Sequence, residues 1–550
     1  MSPAIGRHLL NVVLPSALAA TALGMGLLTD QRRLVFLIAA AALAVMVWRR
    51  RSLVAGPVHV APRLVLTVAV ASAYPAAGAP APHWPLLLAG AVLAGLLLAE
   101  APVYRAGRPL YQVANLPERD GWRGRLSGRR AASAGNTVLL AAVILFALAG
   151  WPGWPVLVAA VVAAAVTGGA AVAAVRLRLF GRNRALARLR QRVADHRPVF
   201  MVYFTAPPGS GYQLMMWLPH LAQIGERFLV VLREPHAFPA TARATGVPVI
   251  YAPEMSTFDV CVVPSLKAAF YVNNGARNTH SVRYGGLTHI FLNHGDSDKP
   301  SSFNPVTAMY DRVFVAGQAG IDRYSHHGLD LPPDKFRIVG RPQVATAEPA
   351  RWPVAQVTHP VVLYAPTWTG YYADANYSSL PIAATIVRAL LDHGATVILR
   401  HHPYSMRNRA ERAQLAEAHR LLAADAAGTG RRHRWGAAAT TGMSLIECFN
   451  ASDALVSDVS SVASEYLYSE KPFAITDMTG QAGRFAESFP LARVGYGIDP
   501  LAANLADVLD RLLKADPDRS DRLRAKVHYL GDFPRDRYAD AFLTEARRYL

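Results

Sequence analysis

Apolar positions are distributed differently in the two parts of the chain. The first third holds six long apolar runs with almost no charge, several of them long enough to cross a bilayer as a helix. A segment between two of its acidic residues, Asp30 and Glu100, contains no acid at all, which argues against amphipathic surface helices. The pattern predicts about six membrane spans; a count of four or five stays open because three runs are short or broken by Pro75. The runs are Leu9 to Leu28, Leu34 to Trp48, Leu64 to Ala79, Pro85 to Val103, Thr137 to Gly150 and Trp154 to Val175.

Arginines flank these runs in three clusters. With six spans the clusters share one face, and short loops rich in arginine mark the cytoplasmic side. We therefore expect a multi-pass protein of the cell membrane with both ends, and the rest of the chain, in the cytoplasm. We interpret the runs as free of titratable groups, which favours an anchor over a transport pathway. The clusters are Arg49, Arg50, Arg51 and Arg63; Arg105, Arg108, Arg119, Arg123, Arg125, Arg129 and Arg130; and Arg176, Arg178, Arg182, Arg184, Arg188 and Arg190.

From Pro198 onward, short apolar runs of strand length alternate with amphipathic helical stretches. This alternation predicts parallel sheets covered by helices on both faces. Two sets of strands in tandem imply two doubly wound, Rossmann-like domains, with a ligand cleft at the carboxyl ends of the strands. The predicted strands are Val199 to Phe204, Phe228 to Leu232, Val247 to Tyr251, Val260 to Val263, His289 to Leu292, Arg312 to Val315, Val361 to Ala365, Thr396 to Arg400, Ala454 to Ser457 and Phe473 to Thr476.

Four segments follow from these patterns. Residues 1–180 form the transmembrane domain, 181–197 a basic linker, 198–335 a first Rossmann-like domain for an acceptor, and 336–550 a second one for a nucleotide donor. The second domain is expected to end in a closing helix between Arg535 and Leu550, which would pack back on the first.

Composition narrows the function classes. The 550 residues carry a net charge of +19 and are 52% hydrophobic, which together suit a basic membrane protein of several units. A nucleic-acid partner is disfavoured, because the arginines stand beside apolar runs and are not interleaved with aromatic residues. Cys261 and Cys448 lie far apart in apolar surroundings and predict no disulfide framework.

Five polar clusters fall at the mouth of the predicted cleft: four at the ends of predicted strands and one at the end of the connecting segment Phe336 to Pro342. Ser460 and Ser461 fall where a helix begins, so backbone N–H groups, hydroxyls and the helix dipole converge there and suit a phosphate. The alternative is that these serines only cap a surface helix. The clusters are Asn293 to Pro300, Gly340 to Pro342, Ala365 to Trp368, Leu399 to Pro403 and Ser457 to Ser461.

The order of these motifs resembles one known family. His-Gly, Gly-Arg-Pro, Tyr-Ala-Pro-Thr, Leu-Arg-x-His-Pro and Ser-Asp-x-Ser-Ser-Val, followed by Glu-Tyr and Lys-Pro, is similar to the CDP-glycerol glycerophosphotransferases of teichoic acid and capsule polymer synthesis. The resemblance covers roughly Pro198 to the C-terminus and implies a GT-B fold. The chain departs from the family pattern after Gly295, where Asp-Ser-Asp replaces the more usual Thr-Pro-Leu.

The resemblance implies a transfer of glycerol phosphate, or a related polyol phosphate, from a CDP-activated donor. The acceptor would be an anionic cell-envelope polymer or a lipid-linked molecule, and CMP would be released. His294 is the candidate base, since imidazole titrates near neutral pH; Arg400 and His402 would neutralise the transferred phosphoryl group. The donor would be held by Ser457, Asp458, Ser460, Ser461, Glu465, Thr367 and Arg341, with Gly295, Asp296, Asp298 and Lys299 as acceptor or loop residues.

Several alternatives remain open at this point. Asp296 and Asp298 spell an Asp-x-Asp that could hold Mg²⁺ or Mn²⁺, but that motif belongs to a different glycosyltransferase fold, so we expect loop polarity or acceptor contact with no metal and no cofactor. A GT-B enzyme that uses a nucleotide sugar would share the same phosphate-binding helix. A non-catalytic membrane scaffold or transporter is the third alternative.

Overall fold

The computed structural model describes residues 13–29, 31–48, 60–74, 82–106, 109–117, 128–370, 376–481 and 483–550. The chain forms two compact units: Met1–Gln112 with Glu118–Leu189, and Val113–Pro117 with Arg190–Leu550. Both predicted Rossmann-like domains thus lie within one unit. Several residues used in the sequence-based orientation lie outside the described residues: Asp30, Arg49, Arg50, Arg51, Pro75, Arg108, Arg119, Arg123 and Arg125.

The first unit is helical, with one helix in each predicted apolar run. Alanine, leucine and valine from these helices form its buried core. Among the described residues, three stretches are long and apolar enough to cross a membrane, namely Trp84–Val103, Ala132–Ala149 and Trp154–His196. That the unit spans a bilayer several times stays a prediction. The helices are Leu14–Leu28, Arg32–Trp48, Val60–Ala73, Trp84–Ala106, Gly128–Ala149 and Trp154–Arg176, followed by the π-helical turn Leu177–Gly181 and the helix Arg182–His196 of the predicted basic linker.

Arg63 lies inside a helix and not in a loop, contrary to the sequence-based expectation. It belongs to Val60–Ala73 and is only 2% exposed. Its guanidinium pairs with both carboxylate oxygens of Glu100, at 2.9 and 2.7 Å, and Asn136 donates to the same carboxylate at 2.9 Å. The expectation failed because arginine was assigned to loops by residue type, whereas a paired arginine can be buried in a helix bundle. The apolar runs are therefore not free of titratable groups.

The first of the two sheets in the second unit has eight strands. Its order is β1-β4-β3-β2-β5-β6-β7-β8, and the pairs from β2 to β8 are parallel. Because the order reverses between β2 and β5, the loops after these two strands diverge and leave a crevice at the switch point. The strands are β1 (Gln112–Ala114), β2 (Phe200–Phe204), β3 (Phe228–Leu232), β4 (Val249–Tyr251), β5 (Ala268–Tyr271), β6 (Thr288–Phe291), β7 (Arg312–Val315) and β8 (Phe336–Ile338).

One predicted strand of this sheet is wrong. Val260 to Val263 forms a turn after the helix Met255–Asp259, and the strand is instead β5, a few residues later. Cys261 is fully buried at that helix end and donates to the Thr257 carbonyl, so the run is apolar because it packs there. Short apolar runs do not distinguish strands from buried helix ends by pattern alone.

A second, five-stranded sheet follows, and all its strand pairs are parallel. Its order is β10-β9-β11-β12-β13, with the reversal between β9 and β11. The predicted α/β architecture with two doubly wound sheets is confirmed, and the sequence patterns missed only short strands such as β8 and β13. The strands are β9 (Val361–Ala365), β10 (Thr396–Leu399), β11 (Ala454–Ser457), β12 (Phe473–Thr476) and β13 (Tyr496–Ile498).

Helices cover both sheets, and the last one returns to the first sheet. Phe542 and Ala546 of Asp540–Arg547 are buried in the same core as Phe200, Trp217 and Phe314. The helices of this unit are Gly211–Met215, Leu218–Ala222, Phe238–Ala244, Met255–Asp259, Thr279–Val282, Gln318–His326, Ala383–Asp392, Arg409–Thr429, Ala437–Thr440, Leu445–Ala451, Ser461–Tyr466, Phe485–Ser488, Leu505–Asp510, Arg519–Leu530 and Asp540–Arg547.

Removing one partner of the buried ion pair in the first unit should destabilise that unit. Arg63→Leu or Glu100→Leu leaves the other charge unpaired, which typically costs about 3–5 kcal/mol. The double variant R63L/E100L removes both charges and should recover most of the loss. Thermal unfolding of the full chain in detergent measures this, with the exposed Arg33→Leu as the matched control. A double variant less stable than either single one would contradict the pairing.

Candidate active site

A single cavity of about 1090 Å³ lies at the carboxyl ends of both sheets. From the first sheet it is lined by residues 205–208 after β2, 273–277 after β5 and 293–295 after β6. From the second sheet it is lined by residues 365–368 after β9, 400–404 after β10 and 460–462 after β11. The loops after β2, β5, β9 and β11 flank the two switch points, where doubly wound folds bind ligands.

His294 projects into this cavity from a tight turn after β6. Asn293 adopts a left-handed conformation with φ of 54°, and its amide brackets the turn by accepting from the His294 N–H and donating to the Gly295 carbonyl, each at 2.8 Å. Burial and, to a smaller extent, the nearby Arg341 lower the pKa of His294 to about 4, and a backbone hydrogen bond with Val272 opposes both effects. The imidazole is therefore neutral at neutral pH, the form that accepts a proton.

The loop of His294 contacts the helix Ser461–Tyr466 directly. A Cβ added to Gly295 would lie 2.9 Å from the Ser461 hydroxyl oxygen, so a larger residue would push the two loops apart. Ser464 donates to the Asp296 carbonyl at 2.5 Å one turn further on. The candidate base and the candidate phosphate-binding turn are thus neighbours across the cavity.

The two serines at the start of that helix do not act as simple caps. Ser460 is the N-cap residue, yet its side chain makes no capping hydrogen bond. Its hydroxyl lies 3.2 Å from that of Ser457, which donates to the Ala365 carbonyl of β9 at 2.9 Å. Ser460 and Ser461 both line the cavity, whereas Ser457 is fully buried beneath them.

Asp458 organises the loops around the serines without reaching the cavity. The side chain is fully buried and accepts from the Thr367 N–H at 2.6 Å, the Ser379 N–H at 3.2 Å and the Thr476 hydroxyl at 2.8 Å. Burial raises its pKa, and these hydrogen bonds oppose the rise. Three loops of the second sheet are held together by this one carboxylate.

Arg341 and Glu465, both predicted to contact the donor, are bound to each other. Their side chains are 3% and 4% exposed, and Arg341 Nε donates to Glu465 at 2.9 Å. Arg341 also donates to the His294 carbonyl at 2.6 Å and lies 5.4 Å from the centre of the Trp217 ring. Burial raises the pKa of Glu465, while Arg341 opposes that rise. Glu465 still lines the cavity, so it forms part of its floor.

Asp296 and Asp298 turn away from the cavity and toward a buried arginine. Arg323 forms ion pairs with both carboxylates, at 2.8 Å for Asp298. Asp298 also accepts from the Leu491 N–H at 3.0 Å. The two acids raise the pKa of Arg323 above its usual range, although its burial opposes this. No group of three or more His, Cys, Asp or Glu suited to a metal occurs among the described residues.

Lys299 is a cavity-lining cation from the first sheet that touches the second. Its Nζ donates to the Thr367 hydroxyl at 3.1 Å and lies 5.3 Å from the centre of the Tyr377 ring. Burial lowers its pKa to about 8, and Asp458 opposes that shift. The ammonium is therefore mostly charged at neutral pH and becomes neutral at mildly alkaline pH.

Arg400 and His402 leave the same loop in different directions. The Arg400 guanidinium donates to the backbone carbonyls of Ala439 and of Met443, the latter at 2.7 Å. It therefore stabilises loops of the second sheet. His402 Nδ1 accepts from the Tyr404 N–H at 3.1 Å, and Nε2 lies 3.5 Å from the Tyr212 hydroxyl. Burial lowers the pKa of His402 to about 3, with Lys299 as the next largest cause.

The structure adds residues that the sequence patterns missed. Gln213 Nε2 lies 3.2 Å from His294 Nε2, and Tyr212 packs edge-on against both His294 and His402. The loop before them, which follows β2, reaches across the cavity: the Ser210 hydroxyl is hydrogen-bonded to the Tyr404 hydroxyl, and the Pro208 carbonyl accepts from Arg407. The Pro-Pro-Gly sequence after β2 indicates a loop at this position. It does not indicate which distant residues the loop contacts.

Comparisons with known proteins identify one matching family and several solved structures with some similarity. Residues 346–479 match the family model for CDP-glycerol:poly(glycerophosphate) glycerophosphotransferase. No curated protein matches. Solved structures with some similarity include the wall teichoic acid polymerase TagF, at 12% identity over 68% of this chain and 96% of that one with a TM-score of 0.38. A glycosyltransferase from Rickettsia africae has 12% identity, coverage of 64% and 98%, and a TM-score of 0.42. The family match confirms the resemblance seen in the motifs and identifies residues 346–479 as those of a glycerophosphotransferase-type enzyme.

Proposed function

We propose that this protein is a membrane-bound transferase that moves glycerol phosphate, or a related polyol phosphate, from a CDP-activated donor. The acceptor is an anionic cell-envelope polymer or a lipid-linked molecule, and CMP is released. One observation carries this proposal: a neutral imidazole, His294, and two serines at a helix start, Ser460 and Ser461, line one cavity. The serines lie within the family match, and the side chain of Ser460 makes no capping hydrogen bond.

The cavity supports an in-line phosphoryl transfer. An acceptor hydroxyl attacks the donor phosphorus that carries the polyol, and its proton moves to the imidazole of His294. The new P–O bond forms while the bond to the bridging oxygen breaks, and CMP leaves with that electron pair. Backbone N–H groups and hydroxyls at Ser460 and Ser461 hold the diphosphate at the positive end of the helix.

Lys299 and His402 assist the transfer, and their roles differ from those that the sequence predicted. Lys299 is the cation that faces the transferred phosphate, since Arg400 is engaged with carbonyls. His402 contributes an N–H hydrogen bond, because its lowered pKa keeps it neutral in the free enzyme. A bound diphosphate would raise the pKa of both imidazoles by favouring their charged forms.

A donor screen with the purified full-length chain tests the reaction. CDP-glycerol and CDP-ribitol are expected to release CMP when a poly(glycerol phosphate) acceptor is present, as measured by nucleotide chromatography. Release of UDP or GDP from a nucleotide sugar would favour the sugar transferase instead. No turnover of any donor would favour the non-catalytic scaffold or transporter.

Replacing the candidate base should slow chemistry without weakening donor binding. His294→Ala removes proton transfer, which usually contributes about 10²–10⁴-fold to a rate. We expect kcat to fall by that factor while the Kd for the CDP-activated donor changes little. His326→Ala, an exposed histidine on the same unit, is the matched control and should retain full activity. Equal kcat values for the two variants would remove His294 from the mechanism.

The pH profile of kcat/KM should be flat between two limbs. His294 must be neutral to accept a proton, so activity falls as pH decreases through about 4. Lys299 must be charged to hold phosphate, so activity falls as pH increases through about 8. Lys299→Arg should move only the alkaline limb to higher pH, since arginine stays protonated. An alkaline limb that does not move would assign it to another group.

A further inference from the structure

Two buried amides stand between β2 and the candidate base. Gln213 belongs to the helix Gly211–Met215 and Asn273 follows β5; they are 8% and 7% exposed, and both line the cavity. Neither residue was expected at the site from the sequence. Their hydrogen bonds form a chain that starts at a backbone carbonyl and ends at His294.

The chain has only one consistent orientation. Asn273 Nδ2 lies 3.2 Å from the Thr205 carbonyl oxygen, which can only accept, so this atom must be the amide nitrogen. The same nitrogen lies 2.9 Å from Gln213, and the atom there must therefore be the carbonyl oxygen Oε1. Gln213 consequently turns its NH₂ group toward His294 Nε2, at 3.2 Å.

We propose that Asn273 and Gln213 are positioning residues that set the tautomer of His294. An amide N–H facing Nε2 requires Nε2 to accept, so the proton of the neutral ring sits on Nδ1. Resting on the proposed function, this inference names the atom that acts as the base. The acceptor hydroxyl displaces the Gln213 N–H from Nε2 and transfers its proton there as the new P–O bond forms; the bond to CMP breaks with its electron pair.

His402 has the opposite tautomer and serves as an internal reference. Its Nδ1 accepts from the Tyr404 N–H, so its proton sits on Nε2. His294 therefore presents a hydrogen-bond acceptor to the cavity through Nε2, and His402 presents an N–H donor through its own Nε2. Arg341, His402 and the edge of Tyr212 are the charged or titratable groups that face His294, and substitutions at Gln213 leave them in place.

Nuclear magnetic resonance measures the tautomer of His294 and does not require that the enzyme turn over a substrate. In full-length protein with ¹⁵N-labelled histidine, long-range proton–nitrogen spectra at pH 7 should show His294 with its proton on Nδ1. In Asn273→Asp the carboxylate cannot donate, so Gln213 reverses its amide and His294 must move its proton to Nε2. The exposed Asn408→Asp, at the start of Arg409–Thr429, is the matched control and should leave the tautomer unchanged. A wild-type signal with the proton on Nε2 would overturn the proposal.

A second variant keeps the test decisive if Asn273→Asp fails to fold. In Gln213→Glu a carboxylate faces His294 and stabilises its protonated form, so the acidic limb of kcat/KM should move upward by at least one pH unit. A purely structural role for Gln213 would lower activity at every pH and leave the limb in place. Gln223→Glu, on the surface of the same unit, is the control and should behave like the wild type.

The two proposals fail in different ways. If the tautomer follows the amides as described but no donor releases CMP, the proposed function is wrong and the arrangement of the amides stands. If CMP is released while Asn273→Asp alters neither the tautomer nor the rate, which otherwise should fall by about 10²-fold or more, only this inference is wrong.

Discussion

The contacts of Arg341 determine both the geometry and the electrostatics of the candidate site. Its guanidinium holds Glu465 of the helix after β11 and the backbone carbonyl of His294 after β6, and its own N–H donates to Tyr538. One side chain thus fixes the distance between the two sheets where the cavity opens. Burial is the main cause of the lowered pKa of His294, and the positive charge of Arg341 beside the imidazole lowers it further. The position of the candidate base, and part of its pKa shift, therefore depend on the same residue.

Burying charges near the cavity costs desolvation free energy, but the buried ion pairs hold the loops in one arrangement. A buried ion pair gains little net stability over apolar packing, but removing one partner is severe, so each pair strongly favours one arrangement. Arg341 with Glu465, and Arg323 with Asp296 and Asp298, fix three loops that come from both sheets. Loops that lack regular backbone pairing need such side-chain contacts to keep a defined shape.

The sequence predicted this fold well where periodicity and strand ends carry the information. Strands such as β2 and β9 appeared as apolar runs, and four of the five predicted polar clusters contribute residues to one cavity. The fifth, Gly340 to Pro342, does not line it, because Arg341 is bound to Glu465. What it could not predict are partners far apart in the chain. Nothing local reveals that Asp298 pairs with Arg323, or that Gln213 faces His294, since these contacts exist only once the sheets are ordered. Residue types were misleading for the same reason at Arg400, whose charge is directed to carbonyls.

These assignments leave a cavity whose polar surface is mostly uncharged. The two histidines have lowered pKa values, Arg400 is engaged with carbonyls, and Glu465 is paired with Arg341. Arg277, which also lines the cavity, forms an ion pair with Glu234, so Lys299 is the lining cation that supplies positive charge between the sheets. An anionic ligand in such a place is recognised chiefly by N–H and O–H donors of fixed direction, which need no reorganisation as charge develops in a transition state. Their fixed direction in turn depends on the buried ion pairs and on Asp458, because these set where each loop begins. The directions of the donors that line the cavity thus depend on buried contacts that lie behind its surface.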